Sequence, residues 1–125
     1  LFIEGHPILW AGPVKNWINA CDRIISMEVD FVVPGHGPVT DNRGVKAVRD
    51  YLIYIDTESR KRFDSGMSAL EAAKEIDLDL FSTWGDEERI AVNVNSLYRE
   101  YKGEEKREEI TLLFQQMAEL SGIDE

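Results

Sequence analysis

The chain has 125 residues, of which 43% are hydrophobic and 30% are charged. This composition is typical of a globular protein of single-domain size and excludes a disordered chain. The net charge of −10 has the wrong sign for binding a nucleic-acid backbone or an anionic membrane, so we expect neither partner. The one cysteine, Cys21, excludes an internal disulfide and a thiolate metal cluster. It is compatible with a reducing compartment, and we predict a cytoplasmic location.

The first 41 residues predict two short buried strands with a helix between them. Residues 1–3 are typical of a strand end. Pro13 suits the first turn of a helix that we expect to end near Met27. Residues 31–33 are β-branched and aromatic, as in a buried strand, and Pro34 ends them. Between the two strands, apolar side chains recur at helical spacing, and these are Trp17, Cys21, Ile24 and Ile25.

A long helix follows the second strand. Either Thr40 or Asp41 can cap its start, and it should run to about Asp64, with Gly66 just past its end. Its apolar side chains recur along one stripe, which indicates a buried face. The stripe consists of Val45, Val48, Leu52, Ile55 and Phe63.

Three more helices are predicted towards the C-terminus. A capping box at positions 68–71 begins a short helix to about Ile76. After a connector, Asp86 can start another helix, which Gly103 closes. A last helix is expected over 104–120, with an acidic first turn that suits the helix dipole.

This order of elements predicts an α/β chain, or an α+β chain when it is taken in isolation. Two short strands do not make a stable sheet alone. We therefore expect their partner strands to lie in upstream sequence or in a second copy of the chain.

One histidine occupies an unusually bare loop within "VDFVVPGHGPVTD". Pro34 ends strand pairing, and the glycines on either side of His36 leave space around its ring. A neutral imidazole is the side chain that most often binds metals near pH 7. On these arguments alone, a surface-turn histidine between ordinary loop glycines is the better interpretation.

The wider pattern resembles a known family. "LFIEGHPILWAGPVKNW", followed about ten residues later by "DFVVPGHGPVTD", is similar to the C-terminal part of metallo-β-lactamase-fold hydrolases. The glyoxalase-II-like and quinoprotein-relay-like branches are the most similar. Residues 1–41 carry the resemblance, and residues 42–125 resemble the helical extension of some members, in "GMSALEAAKEI", "WGDEER" and "LYREYKG".

The resemblance implies an αββα sandwich, of which this chain supplies the C-terminal two strands, and a site for two zinc ions. His36 corresponds to the last metal-binding histidine. The family's HxHxDH motif does not occur in the 125 residues, and its bridging aspartate would fall just before Leu1. We therefore expect a metal-dependent hydrolase of ester-, thioester- or lactam-like bonds in the parent protein. The isolated chain should be inactive and bind zinc weakly, because one imidazole is too few ligands.

Other residues leave alternatives open. His6 and Trp10 follow the first strand and are candidates to contact a small-molecule substrate. His6 is equally explained as a loop histidine fixed by Pro7, and Trp10 as packing under the sandwich. Asp41 could orient His36, although helix capping explains it better. The long apolar stripes also suit a homodimer, so the alternative function is a non-catalytic helical dimerisation or interaction module.

Overall fold

The computed structural model describes residues 1–10, 12–103 and 110–122. Within these ranges the chain forms five α-helices: α1 (Val14–Ser26), α2 (Asn42–Asp64), α3 (Ala69–Glu75), α4 (Ile90–Lys102) and α5 (Ile110–Ser121). Two short 3-10 turns, Asp79–Phe81 and Glu87–Arg89, connect α3 to α4. In the described residues, no helix combines the length and the apolar character that crossing a bilayer requires.

The α/β prediction is wrong for the described residues, which form an all-α fold without a strand or sheet. The two segments expected as strands are extended, but each makes only an isolated β-bridge. Phe2 pairs in parallel with His36, and Val32 pairs in antiparallel fashion with Thr40. A ladder needs consecutive paired residues. The prolines at 34 and 38 lack the N–H that would continue it, so pairing stops at single bridges.

Helix α2 lies at the centre of the fold and packs against α1, α3 and α4. Four members of the predicted stripe are buried, as are Tyr51 and Ser59, whereas the fifth member, Phe63, is only partly buried. Residues from the first 41 positions and from the helical remainder share this core, which links the two parts. Its members include Ile3, Leu9, Val14, Cys21, Val45, Val48, Leu52, Ile55, Ile90, Val94 and Leu97.

The predicted helix ends are largely confirmed. Of the two candidate caps for α2, Asp41 is the one used, since its carboxylate accepts a hydrogen bond from the Arg43 N–H at 2.9 Å. Ser68 caps α3 in the same way, accepting from the Glu71 N–H at 3.2 Å. Gly103 ends α4 with a φ of 71°, a left-handed conformation that glycine adopts at little cost.

Two predicted boundaries differ from the structure. Asp86 is left-handed, with a φ of 63°. The chain therefore passes through a 3-10 turn before α4 starts at Ile90. The last helix was predicted from position 104, but residues 104–109 lie outside the described ranges, and α5 is described from Ile110 to Ser121.

Candidate functional site

His36 lies on the loop between α1 and α2, with an exposed side chain. Two backbone hydrogen bonds fix this part of the loop to the first residues of the chain. The Ile3 N–H donates to the His36 carbonyl at 2.9 Å, and the His36 N–H donates to the Leu1 carbonyl at 3.2 Å. The imidazole also stacks on the Phe2 ring, with ring centres 4.4 Å apart and planes 5° from parallel. The ring is therefore held in place while its side chain remains accessible.

Only one of the two glycines beside His36 is sterically required. Gly37 has a φ of 100°, and a Cβ at this position would collide with the Ile3 carbonyl oxygen. At Gly35, the nearest atom to an added Cβ is the Leu1 carbonyl oxygen at 4.0 Å, an ordinary contact. Gly37 therefore permits the close approach between the histidine loop and the first residues.

The described residues do not by themselves fit a zinc site. A catalytic zinc needs about three protein ligands. Among the described residues, no three His, Cys, Asp or Glu side chains are grouped as a metal ion would require. The carboxylate of Asp41 caps α2 and pairs with Arg43 at 2.9 Å, and these hydrogen bonds lower the pKa of Asp41. The predicted zinc pair would therefore need ligands beyond those described.

His6, the other histidine, is fully buried. Its Nδ1 atom lies 2.9 Å from the Tyr51 hydroxyl oxygen. Its ring makes edge contacts with Tyr51, Phe81 and Trp84, at centroid distances of 5.0, 6.5 and 6.0 Å. The ring is thus enclosed by aromatic side chains, and its assignment to a substrate pocket stays a prediction.

A buried asparagine completes the hydrogen bonds around His6. The Asn93 amide donates to the Tyr51 hydroxyl oxygen at 3.0 Å and to the Pro7 carbonyl at 2.9 Å. Its carbonyl oxygen accepts from the Leu9 N–H at 2.8 Å. Since Tyr51 accepts from Asn93, its own proton is available for His6 Nδ1, which favours the neutral imidazole with its proton on Nε2. This cluster of His6, Tyr51 and Asn93 is hereafter the buried histidine cluster.

Burial has an electrostatic consequence for this cluster. Desolvation lowers the pKa of His6 to about 4, against a smaller opposing effect of Asp86. Within the described residues, His6 Nε2 has no hydrogen-bond partner. The arrangement therefore holds a neutral histidine, and protonating it would place an uncompensated charge in the core.

Arg89 connects the two histidine environments. Its guanidinium donates to the His6 carbonyl at 3.0 Å, and its Cζ atom lies 5.2 Å from the centre of the Phe2 ring. Because Phe2 stacks on His36, the two histidines are joined by backbone and ring contacts, although they do not form one site.

Trp10 is half-buried and packs against a small cluster formed by α4 and α5. Its ring makes an edge contact with Phe114 at 6.3 Å. The structure thus places it against helix side chains, and its substrate role stays a prediction.

Comparisons with family models, with curated proteins and with solved structures give no match to this chain. The resemblance to metallo-β-lactamase-fold hydrolases therefore rests on the sequence motifs quoted above.

The sequence analysis did not single out Tyr51 or Asn93. Both lie on apolar helix faces: Tyr51 falls between Val48 and Ile55 on α2, and Asn93 falls between Ile90 and Leu97 on α4. A polar side chain on an otherwise apolar stripe is the available signal, because a buried amide needs hydrogen-bond partners. The identity of those partners, 86 positions away for the Pro7 carbonyl, is visible only in the fold.

Proposed function

We propose that this chain is the C-terminal part of a metal-dependent hydrolase, in which His36 supplies one metal ligand. The substrate would be a small molecule with an ester-, thioester- or lactam-like bond, as the resemblance of residues 1–41 implies. The observation that supports this most is the accessible imidazole of His36 on a loop fixed by two backbone hydrogen bonds and by stacking on Phe2.

Fixed geometry favours a ligand role for His36. A metal ligand must be held close to its productive position by supporting contacts, while its ring nitrogens stay accessible. The hydrogen bonds from Ile3 and to Leu1 fix the backbone, and the Phe2 ring limits rotation of the imidazole. A surface histidine without a role needs none of these restraints, which is why we prefer the ligand over the ordinary turn.

The test compares the polypeptide encoded by the complete reading frame with its His36→Ala variant. We expect the variant to lose hydrolysis of p-nitrophenyl acetate, of a simple thioester or of a chromogenic lactam. The loss should exceed the roughly 10- to 100-fold that removal of an outer-shell partner costs in metal sites. Arg43→Ala is the matched control, because Arg43 is exposed and lies near the same loop. Equal loss in both variants, or activity unchanged in His36→Ala, would contradict the proposal.

The isolated 125-residue chain gives a complementary test. Calorimetric titration with zinc should show weak binding, because His36 alone provides too few ligands. Submicromolar affinity that disappears in His36→Ala would mean that further ligands in this chain complete the site.

A second candidate is a non-catalytic interaction module, and one observation favours it. Phe31 and Val33 are 77% and 78% exposed, and Val39 is 59% exposed. These apolar side chains flank the His36 loop on the extended segments, so association would involve this surface more than the helical stripes, which are buried. Light scattering of the chain and of its Phe31→Lys, Val33→Lys double variant tests this candidate function. A dimer that the substitutions dissociate supports the interaction module. A monomer for both the chain and the variant refutes it.

A further inference from the structure

A cleft lies at the end of α2 that is distant from His36. It is formed by the turn between α2 and α3, by one face of α4 and by α5, and its volume is about 490 Å³. Small-molecule sites commonly occupy roughly 300–1,000 Å³, so the cleft is large enough for a ligand. The lining residues are Phe63, Gly66, Met67, Ser68, Ala69, Leu70, Asn95, Tyr98, Arg99, Lys102 and Gln116.

The charge of this lining differs from that of the chain. The sequence contains 24 acidic residues, yet the described lining contains two cations, Arg99 and Lys102, and no carboxylate. The two cations lie three positions apart on α4, which places them on one face of the helix. This is a locally positive surface on a strongly acidic protein.

Arg99 is half-buried in this lining. Its Nε atom is buried and finds no hydrogen-bond partner among the described residues. An oxyanion in the cleft would therefore meet the terminal N–H groups of the Arg99 guanidinium, because the buried Nε is closed to solvent. Asn95, one turn before Arg99 on α4, is itself buried and adds a side-chain amide to the lining.

The apolar part of the lining comes from α2, α3 and the turn between them. Phe63, Met67 and Leu70 supply apolar side chains. The Tyr98 hydroxyl donates to the Met67 carbonyl at 2.9 Å, which ties the turn between α2 and α3 to α4. The lining therefore combines cations from α4 with apolar side chains from the segments that this hydrogen bond ties to α4.

From this arrangement we propose that the cleft binds a small organic anion, a carboxylate attached to a short apolar chain. Arg99 and Lys102 contact the carboxylate, since a guanidinium forms strong paired hydrogen bonds with such a group. The apolar chain packs against Phe63, Met67 and Leu70. The cleft lies beyond the C-terminal end of α2, whereas the His36 loop precedes the N-terminal end of that helix, and none of the described lining residues belongs to the loop. This site is therefore independent of the function proposed for His36.

The test uses amide proton–nitrogen NMR spectra of the complete 125-residue chain titrated with hexanoate. We expect a roughly millimolar Kd, as suits a ligand with few atoms. Shifts should be confined to the lining, at residues 63, 66–70, 95–102 and 116, and be absent from the His36 loop. Inorganic phosphate, which lacks the apolar chain, and hexanol, which lacks the charge, should each bind at least about tenfold more weakly.

Single substitutions test whether each of the two cations contributes to hexanoate binding. Arg99→Gln and Lys102→Gln should each weaken hexanoate binding about tenfold or more, because each removes a charge-assisted contact. Arg43→Gln removes the same charge from the far end of α2 and should leave the affinity unchanged. Lys102 is exposed, so its variant keeps the test valid if Arg99→Gln fails to fold. Absence of hexanoate shifts, equal binding of hexanol, equal binding of phosphate, or unchanged affinity in Lys102→Gln would overturn the proposal.

Discussion

Protonation of His6 should destabilise the fold at mildly acidic pH. Its imidazole is fully buried against Tyr51, Phe81 and Trp84. Burial lowers its pKa from the ordinary 6.5 to about 4. In the unfolded chain the same imidazole takes up a proton near pH 6.5, whereas the folded chain resists it down to about pH 4. The unfolded state therefore binds more protons in this window, and stability falls as the pH falls through it.

The size of the effect follows from the difference between the two pKa values of His6. A difference of one in pKa corresponds to about 1.4 kcal/mol. Lowering the pKa of His6 from 6.5 to about 4 therefore lowers the free energy of unfolding by about 3 kcal/mol once His6 is fully protonated. Between pH 7 and pH 5, where most carboxylates stay ionised, linkage gives a loss of about 2 kcal/mol. This loss is a large fraction of the stability of a typical domain.

Urea denaturation at pH 7 and pH 5, followed by tryptophan fluorescence, measures this loss directly. His6→Asn tests its origin, because the asparagine carbonyl can still accept a hydrogen bond from Tyr51 but does not titrate. We expect this variant to be less stable at pH 7 and to lose most of the pH dependence. His36→Asn is the matched control, because that imidazole is exposed, and it should keep the pH dependence. If wild type and His6→Asn lose the same free energy between the two pH values, the reasoning is wrong.

Three further substitutions and one thiol reaction test the packing of the fold. Gly37→Ala should lower the free energy of unfolding by about 2 kcal/mol or more, because Gly37 has a positive φ and an added Cβ would collide with Ile3. Gly35→Ala is the control and should change the free energy of unfolding by less than about 0.5 kcal/mol. Urea denaturation measures both values. Asn93→Ala removes buried hydrogen bonds to two backbone groups and one hydroxyl, so a loss of about 3 kcal/mol is expected in the same assay, and a loss under about 1 kcal/mol would contradict it. Burial raises the pKa of the Cys21 thiol, so Ellman's reagent should react with it only at the rate of unfolding, and fast reaction of the native chain would refute its burial.

The sequence predicted the helices well because their signals are local. The stripe of α2, the Asp41 cap and the Gly103 end each depend on residues within a few positions of one another. The strand predictions were wrong because a strand forms only where a partner segment pairs with it over consecutive residues. The segments around Phe2 and Val32 have strand-like composition, yet each finds only a single bridging residue in the described chain.

The candidate sites also differ in whether a local sequence signal marks them. The exposure of His36 follows from proline and glycine in its own loop, so sequence could anticipate it. The environment of His6 could not be anticipated, because Tyr51 lies 45 positions away. The cleft around Arg99 depends on four helices meeting, and no local pattern marked it.

The most direct test of the role of His36 is the zinc content of the purified polypeptide encoded by the complete reading frame, measured by elemental analysis. If His36 is a ligand, His36→Ala should retain about half of the wild-type zinc per chain, while Arg43→Ala keeps all of it. Equal zinc in wild type and His36→Ala, or no zinc in either, would contradict the metal-ligand role on which the proposed hydrolase depends.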